Sequence, residues 1–302
     1  MSTVSSYAAV APARGLRAWV ELTKPRIVSL VLFTGLPALL VAGGAPPSPR
    51  IFWGALIGIA LSAASAAAFN HYYDRDIDAL MMRTRTRPLP AGALPPAAAA
   101  ALALTLAWLS WVVLCMSCNT LSALIAMMSI LYYVVVYTIW LKRRTPQNIV
   151  IGGAAGASAP IIAWAAVTGT VGLPAVLMAA IIFLWTPPHF WALSLYRRED
   201  YLRAGIPMLP VTHGEPATRL RILLYSLVLV PVTLLVAPLA GLGPLYLGAA
   251  ALLGAWFVAE AVRLFRNPST PRAVGLFRYS ILYLFALFLA MTLDAMWRTR
   301  HS

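Results

Sequence analysis

Apolar positions along the chain fall into nine long runs, separated by short segments rich in proline, glycine and charge. A membrane-spanning helix needs about 20 predominantly apolar residues, and each run approaches that length. The pattern therefore predicts nine spans, at Ile27–Val41, Ile51–Phe69, Ala97–Met116, Leu121–Leu141, Ile149–Val167, Pro174–Leu195, Ile222–Leu239, Leu245–Leu264 and Leu276–Met296.

Composition agrees with this pattern. Of the 302 residues, 61% are hydrophobic and 11% are charged, with a mean hydropathy of +0.80, which is typical of an all-α integral membrane protein. The net charge of +14 could suggest nucleic-acid binding, but the basic residues occur in short groups between apolar runs and form no single patch or tail. We therefore expect no nucleic-acid partner.

The basic residues are strongly sorted between the two ends of the predicted spans. Twenty of the 23 Lys and Arg residues lie in the amino-terminal segment and in alternate connections, and only Arg50, Arg298 and Arg300 lie on the other side. By the positive-inside rule, the amino terminus and these connections are cytoplasmic. We expect a bacterial inner-membrane protein with its functional loops on the cytoplasmic side.

The organisation predicted is one membrane-embedded domain over residues 23–298, with tails at 1–22 and 299–302. Residues 1–20 lack the compact apolar segment of a cleavable signal peptide. The two longest basic connections, near 70–95 and 196–221, also contain acids and follow the second and sixth spans. This equivalence suggests a duplicated half, a common way to build a membrane bundle around a cavity.

The candidate chemistry is concentrated directly after the second span. Asn70, Asp74 and Asp78 are spaced by four residues, so a helix would place them within about 80° of one face. Oxygen donors without sulfur or imidazole suit Mg²⁺, which commonly binds through one or two carboxylates plus a substrate's phosphates. Asp76 would lie far around the helix, and we expect it to pair with an arginine.

Arg83, Arg85 and Arg87 follow this acidic segment. Guanidinium groups present forked donors to phosphate oxygens, so a metal site beside these arginines favours a diphosphate. The alternative is a solvated, salt-bridged loop that only fixes topology. Ionisable residues at a membrane boundary favour the functional interpretation.

Longer motifs resemble a known family, the intramembrane aromatic prenyltransferases of the UbiA superfamily, and within it the branch that farnesylates heme. The resemblance rests on Asn70-x-x-x-Asp74-x-x-x-Asp78 followed by Arg83-Thr84-x-x-Arg87-Pro88. Three later stretches support the branch: LKRRTPQNIVIGG from Leu141 to Gly153, TPPHFW from Thr186 to Trp191 after Trp185, and DYLRAGIPMLP from Asp200 to Pro210.

The resemblance implies a nine-helix bundle around a central cavity and a reaction in membrane lipid. Farnesyl diphosphate would be ionised with Mg²⁺, the farnesyl group joined to a vinyl group of heme B, and water added to give heme O. The product would pass to a heme A synthase or to terminal oxidase assembly factors. Many relatives carry a second pair of aspartates four residues apart, whereas this chain has Glu199 and Asp200 adjacent, so Asp200 is the candidate for a second metal site.

Negative charge develops on the diphosphate as it leaves, and metal ions and cationic side chains stabilise that charge. The residues are therefore assigned as follows. Asn70, Asp74 and Asp78 are the predicted Mg²⁺ ligands, together with Asp200. The predicted diphosphate ligands are Arg83, Arg87, Lys142 and Arg143. Aromatic faces shield an allylic cation from water, and the candidates are Tyr72, Tyr73, Trp185, Phe190 and Trp191.

Heme requires a flat apolar slot, cationic partners for its propionates and a group that can orient its iron. His71, His189 and His213 are the candidates on the predicted cytoplasmic side. His189 follows Pro187 and Pro188 within an apolar run, where an imidazole is unusual. Any of the three could instead be a hydrogen-bonded structural histidine.

Two alternatives remain open. The same fold could prenylate another acceptor, such as a quinone-precursor aromatic acid, because physical reasoning alone does not distinguish the acceptors. An ion transporter could use the acidic loop as an ion site, but its carboxylates would be expected near the middle of the membrane at broken helices. The carboxylates of this chain lie at one predicted membrane edge.

Overall fold

The computed structural model describes residues 15–44 and 46–299. The predicted tail positions Arg14, Arg300 and His301 therefore lie outside the described residues. Those that are described form helices and no strand. The helices are α1 (Leu16–Leu22), α2 (Pro25–Val41), α3 (Pro49–Leu80), α4 (Pro96–Ser117), α5 (Thr120–Leu131), α6 (Asn148–Gly156), α7 (Ala159–Thr168), α8 (Leu173–Tyr196), α9 (Arg198–Arg203), α10 (Leu209–Thr212), α11 (Gly214–Leu239), α12 (Pro244–Arg266) and α13 (Thr270–Thr299).

The predicted membrane architecture is confirmed. Eight helical segments within the described residues are long and apolar enough to cross a membrane, and α1 with α2 forms a ninth if the bent pair counts as one span. The bend between α1 and α2 is 44°. Helix α1 lies within the stretch predicted as a tail, yet its Ala18 and Leu22 are fully buried.

Helix α3 is longer than its apolar run predicted, because it continues from Phe69 to Leu80 without a break. It begins with Ser48 as its cap, whose Oγ accepts a hydrogen bond from the backbone N–H of Ile51, and with Pro49 in the first turn. The last three turns of α3 are polar, and three of their side chains, those of Asn70, Asp74 and Asp78, are buried in the interior. The acidic motif is therefore helical, as its spacing predicted.

Two predicted spans contain irregular backbone. The run Leu121–Leu141 is α5 followed by a π-helix over Tyr132–Leu141, and the run Ile149–Val167 is divided into α6 and α7. Glycine at 152, 153 and 156 and proline at 160 weaken the second run as a single helix. Hydropathy does not detect either feature, because it averages over a window of residues.

The spans enclose a set of internal cavities. Helices α2, α3, α5 with its π-helical extension, α6 with α7, α8 and α13 pack successively around them. Helices α4, α11 and α12 pack outside this ring, against α3, α8 and α13. Small residues permit the closest approach, since a methyl group on Gly58 would overlap Leu114 of α4.

Candidate active site

The polar residues of α3 form one buried stripe. Asn70, Asp74 and Asp78 are 4%, 0% and 2% exposed, respectively, and the amide of Asn70 donates a hydrogen bond to Oδ2 of Asp74. Asp76 lies on the other side of the helix and is exposed. The structure thus confirms that the four-residue spacing collects an amide and two carboxylates on one interior face.

Three cations from other segments contact this stripe, one for each residue. Lys24 Nζ donates to Asn70 Oδ1 across 2.6 Å, and Lys142 Nζ bonds to Asp74 Oδ2. Arg87 Nη1 donates to Asp78 Oδ2 across 2.7 Å. Buried carboxylates need such partners, because an unpaired buried charge is strongly unfavourable.

All of these groups except Asp74 line a cavity of about 150 Å³, which we call the polar cavity. Lys24, Arg83, Arg87 and Lys142 all line it, whereas Asp78 is its one lining carboxylate among the described residues. Asp74 does not line the cavity but is bonded to Lys142, so four cations accompany two carboxylates at this site. The excess positive charge makes the cavity suited to a polyanion such as a diphosphate.

Lys24 occupies an unusual backbone position. Its φ of 50° is the one positive φ found at a non-glycine residue within the described segments. Such a conformation costs about 1–2 kcal/mol for an L-residue. It occurs between α1 and α2, directly before Pro25, and it brings the ammonium group over the acidic stripe. Local strain retained at a charged cavity is a mark of a functional position.

The π-helix positions further side chains. It ends at Leu141, where the backbone N–H of Lys142 donates to the carbonyl of Tyr137, five residues earlier. Tyr133 and Tyr137 both line the polar cavity, with ring centroids 5.1 Å apart. π-Helical segments are rare and are frequent at functional sites. This one places two phenols and one ammonium group on the same wall.

Two apolar cavities adjoin the polar cavity. The larger, which we call the apolar cavity, has a volume of about 260 Å³ and shares Ile27, Tyr133, Tyr137, Ile149 and Phe190 with the polar cavity. A smaller one of about 110 Å³ lies between α2 and α3 and is lined by Ile59, Ala63 and Ala66, among others. The polar cavity, lined by four cations, therefore adjoins an apolar interior.

A fourth space, of about 650 Å³, lies beside the polar cavity, and Arg83 lines both. We call it the arginine vestibule, because five arginines line it: Arg83, Arg85, Arg197, Arg198 and Arg203. Its lining comes from the connection after α3, from the segment between Leu195 and Arg203, and from Glu215 of α11 and Thr270 of α13. Three carboxylates, those of Glu199, Asp200 and Glu215, line it together with the arginines. The two acidic and basic loops thus meet at one end of the bundle, as their equivalent positions in sequence suggested.

The structure separates some of the residues predicted to act together. Asp200 is buried and its carboxylate accepts from Arg203 across 2.6 Å, and it lines the vestibule and not the polar cavity. Arg143 is exposed and pairs with Asp76 across 2.6 Å. This pair confirms that Asp76 binds an arginine, and it places Arg143 outside the wall of the polar cavity, whereas Lys142 lies on that wall.

The three candidate histidines occupy different surroundings. His189 lines the apolar cavity. His71 is 1% exposed, and both of its ring nitrogens have no hydrogen-bond partner within the described segments. His213 is exposed, and its Nδ1 lies 2.8 Å from the hydroxyl of Thr212. Of the three, His189 alone lines one of the four cavities described above.

Only some of the aromatic candidates line the cavities described above. Trp185 and Phe190 line the apolar cavity. Trp191 is buried against Tyr225 of α11, away from the cavities, and Tyr72 stacks with Arg75.

A divalent metal is compatible with the donors present. No group of three or more His, Cys, Asp or Glu side chains comes together across residues 15–44 and 46–299. Mg²⁺, however, commonly uses one or two carboxylates and completes its shell with water and phosphate. Oδ1 of Asp74 and Oδ1 of Asn148 are buried without a hydrogen-bond partner among the described residues. Unsatisfied buried acceptors each cost about 1–3 kcal/mol, and a hydrated cation would satisfy them.

Several residues of the site were missed by reasoning from sequence: Lys24, Tyr133, Tyr137, Asn148 and Tyr201. From the sequence, Lys24 is one of several basic residues near the amino terminus, which indicate topology only. The two tyrosines lie four positions apart in an apolar run, a weak signal. Burial raises the pKa of Tyr201, so its phenol stays protonated at neutral pH and can donate a hydrogen bond to an anion.

A cavity lined by cations that adjoins an apolar interior is typical of an integral membrane enzyme acting on molecules with an anionic head and an apolar tail. The chain belongs to the UbiA prenyltransferase family, whose sequence model matches residues 31–297. It is therefore a prenyltransferase, and the ion-transporter alternative is wrong.

Curated relatives match nearly the whole chain. A protein from Symbiobacterium thermophilum named protoheme IX farnesyltransferase is 52% identical over 281 residues, covering 92% of this chain and 94% of the relative. Protoheme IX farnesyltransferase 1 of Pseudomonas putida strain W619 is 51% identical, covering 93% and 94%.

Solved structures share the fold. A digeranylgeranylglyceryl phosphate synthase aligns with a TM-score of 0.78 and 19% identity, covering 93% of this chain and 98% of that one. A UbiA homologue from Archaeoglobus fulgidus, bound to DMAPP and Mg²⁺, aligns with a TM-score of 0.59 and 17% identity, covering 91% and 99%. These similarities confirm the predicted all-α bundle.

Proposed function

We propose that the protein transfers a farnesyl group from farnesyl diphosphate to a vinyl group of heme B, with addition of water, to give heme O. The choice of heme B as the acceptor is supported by the name that the curated relatives share. These relatives are about half identical to this chain over more than nine-tenths of its length. The geometry described above supports sites for the diphosphate, the metal, the farnesyl chain and the acceptor, which are taken in turn below.

The diphosphate would bind in the polar cavity. Arg83 lines this cavity and has no ion-pair partner among the described residues, and Lys24 contacts only a neutral amide there. Both cations are therefore available to phosphate oxygens. Lys142 and Arg87 are paired in the structure with Asp74 and Asp78, and they would turn to the diphosphate when a metal takes over those carboxylates.

Asn70, Asp74 and Asp78 would hold Mg²⁺, and Asp200 is the candidate for a second ion across Arg83. The bound metal would supply Lewis-acid stabilisation of the negative charge on the leaving diphosphate. The similarity in fold to an Archaeoglobus homologue bound to DMAPP and Mg²⁺ supports the use of a divalent metal. The cations of the polar cavity stabilise the same developing charge, because they are held in place before the bond breaks.

The farnesyl chain would lie in the apolar cavities. Ile27 and Tyr133 line both of them as well as the polar cavity, so a chain whose head is held there enters an apolar environment directly. Tyr133, Tyr137, Trp185 and Phe190 line the larger cavity. Aromatic faces stabilise a nearby cation by about 0.5–2 kcal/mol each and exclude water.

The reaction balances as follows. The bond between C1 of farnesyl and the bridging oxygen breaks, and the electron pair leaves with the diphosphate. The vinyl π electrons of heme B form a new bond to C1, which leaves a cation on the vinyl carbon attached to the ring. The oxygen of a water molecule bonds to that carbon and releases one proton. Heme B, farnesyl diphosphate and water thus give heme O and diphosphate.

The arginine vestibule supports a dianionic acceptor. Heme B carries two propionates, and arginine pairs with carboxylates through two parallel hydrogen bonds. The rings of Tyr196, Phe277 and His189 are in successive contact between the vestibule and the apolar cavity. The two propionates would bind in the vestibule, on the side of Tyr196.

The site would open to the cytoplasm in a bacterial inner membrane, as the distribution of basic residues predicts. Heme O would then be passed to a heme A synthase or to assembly factors of a terminal oxidase. These predictions depend on the acceptor being heme B.

The test is a reaction in membranes from cells that lack their own heme prenyltransferase and express this protein. Heme B, farnesyl diphosphate and Mg²⁺ are supplied, and extracted heme is analysed by chromatography with mass detection. The expected product is a more hydrophobic heme whose mass has increased by farnesyl plus hydroxyl, and it should not form in the presence of a chelator. Unchanged heme, together with prenylation of a quinone-precursor aromatic acid, would contradict the heme acceptor and retain prenyl transfer.

A further inference from the structure

The face of α3 that carries the acidic stripe continues toward the start of the helix. Going back from Asn70 in steps of three or four residues, this face reaches Ala66, then Ala63 and then Ile59. Residues at this spacing lie above one another on one face of a helix. Two small side chains are therefore followed by one large side chain, in line with the proposed metal ligands.

Ile59, Ala63 and Ala66 line the smaller of the two apolar cavities, which we call the small cavity. Lys24, whose ammonium group bonds to Asn70, also lines this cavity. Lys24 lines the polar cavity as well. The small cavity therefore adjoins the place where the diphosphate is proposed to bind.

The wall of the small cavity is mainly apolar, and two of its three serines are already hydrogen-bonded within the protein. The hydroxyls of Ser129 and Ser158 lie 2.8 Å apart, and the carbonyl oxygen of Ala155 accepts from Ser158 across 2.8 Å. These two hydroxyls need no polar ligand. The occupant that this wall suits best is a hydrocarbon chain.

Two large side chains line the far end of the small cavity. They are Ile59 of α3 and Ile162 of α7, which are 1% and 2% exposed. Each is the lining residue of its span that lies farthest in sequence from the residues of the polar cavity. Cδ1 of Ile59 also packs toward α2, 3.6 Å from the position that a methyl group on Gly35 would occupy. The small cavity therefore ends at these isoleucines.

The length of the small cavity along α3 matches a farnesyl chain. Asn70 and Ile59 are eleven residues apart, which is about 16 Å, or three turns of helix. An extended isoprene unit is about as long as one turn of helix, so three units reach from the acidic stripe to Ile59. Ala66 would lie at the end of the first unit, Ala63 at the end of the second and Ile59 at the end of the third.

The larger apolar cavity is left to the acceptor. A porphyrin is a broad, rigid plate, and the small cavity, at about 110 Å³, has less than half the volume of the apolar cavity, at about 260 Å³. The apolar cavity is also the one next to the rings of Phe277 and Tyr196 on the side of the arginine vestibule. Tyr133 lines both cavities and the polar cavity, so the two substrates would meet beside it.

We infer that the small cavity binds the farnesyl chain and determines its length, with Ala63 and Ile59 as the residues that set the specificity. The inference rests on the proposed function, because it takes a prenyl diphosphate as the donor. The small side chain of Ala63 leaves space for the third isoprene unit, and the large side chain of Ile59 excludes a fourth. Even one methylene group changes discrimination in an apolar pocket by about 10-fold or more, so an isoprene unit should have at least that effect.

The experiment measures the binding of three unreactive donors to purified full-length protein in lipid nanodiscs with Mg²⁺. The donors are the geranyl, farnesyl and geranylgeranyl thiolodiphosphates, in which sulfur replaces the bridging oxygen. The wild type should prefer the farnesyl compound. Ala63→Phe should bind the farnesyl compound at least about tenfold more weakly and keep its affinity for the geranyl compound. Ile59→Ala should gain about tenfold for the geranylgeranyl compound relative to farnesyl. Each result is a ratio within one preparation, so partial loss of folded protein does not alter it.

Two further variants are the controls. Ala101→Phe places the same ring on an exposed alanine of α4 that lines none of the four cavities, and the ratios should not change. Thr34→Leu adds bulk to the apolar cavity and not to the small cavity, and the donor preference should again stay that of the wild type. A shift from farnesyl to geranyl in Thr34→Leu, with none in Ala63→Phe, would place the chain in the apolar cavity and overturn the inference.

The inference and the proposed function fail in different ways, because donor binding needs no heme. If the wild type farnesylates heme B while Ala63→Phe and Ile59→Ala keep wild-type ratios, the role of the small cavity is wrong and the proposed function stands. If the ratios shift as expected while heme B stays unchanged, the acceptor is wrong and the small cavity keeps its role. A wild type that binds none of the three donors would contradict both.

Discussion

Asp74 and Asp76 lie two residues apart on α3 but on opposite sides of the helix, so that the first carboxylate is fully buried and the second is exposed. Asp74 contacts Lys142 and Asn70, whereas Asp76 pairs with Arg143. Within one turn, one aspartate is therefore paired with a lysine that lines the polar cavity, and the other is paired with an arginine at the surface.

Replacement of the buried carboxylates tests the metal site. Asp74→Asn and Asp78→Asn should each lower kcat by at least about 10²–10³-fold, the usual effect of losing one group that stabilises transition-state charge. Asp76→Asn is the matched control and should retain activity within a few-fold. Turnover of farnesyl diphosphate and the amount of protein in the membrane are both measured. Full activity in Asp74→Asn would refute the ligand assignment.

Two adjacent cations provide a second comparison. Lys142 lines the polar cavity and bonds to Asp74, whereas Arg143 is exposed and faces Asp76. Lys142→Met should lower kcat/KM for farnesyl diphosphate by about 10²-fold, and Arg143→Met should change it by less than about threefold, because exposed ion pairs contribute about 0–1 kcal/mol. Equal losses in both variants would show that Arg143 reaches the diphosphate as well.

Lys24 is predicted to bind the diphosphate, although its position before α2 gives no sign of this in the sequence. A hydrogen bond to a charged group contributes about 1.5–3 kcal/mol, so Lys24→Met should raise the KM for farnesyl diphosphate roughly 10–100-fold. Arg26→Met changes an exposed cation of the first turn of α2 and should leave KM unaltered. Steady-state kinetics with varied farnesyl diphosphate distinguishes the two, and a normal KM in Lys24→Met would exclude contact with the diphosphate.

Gly152 sets the position of a cavity residue. A methyl group at this position would overlap the ring of Tyr137, which lines both the polar and the apolar cavity. Gly152→Ala should destabilise the protein by about 1–3 kcal/mol through overpacking and reduce activity as Tyr137 moves. Gly248→Ala, at an exposed helical position with open space around it, should be neutral or slightly stabilising. Thermal unfolding in detergent and turnover are measured for both variants, and wild-type behaviour of Gly152→Ala would contradict this packing.

Much of the fold could be predicted because its signals are local. A run of apolar residues must cross lipid as a helix, since each backbone polar group needs a partner within the segment, and the predicted spans are present. The main departures occur where the backbone is irregular. The break between α6 and α7 follows a glycine-rich stretch, and the π-helix before Lys142 packs Tyr137 against Gly152. A hydropathy profile detects neither feature.

The sequence by itself determined the membrane class, the spans and the acidic stripe of α3, because hydropathy and the helical period act over neighbouring residues. Only the tertiary structure decided which cations reach that stripe, that Asp200 lies in the vestibule, and which cavities adjoin the charged groups. The contacts of the stripe join positions 46 and 68 residues apart for Lys24–Asn70 and Lys142–Asp74. The physical reason is that charge partners and cavities depend on which helices pack together, and no local pattern specifies that.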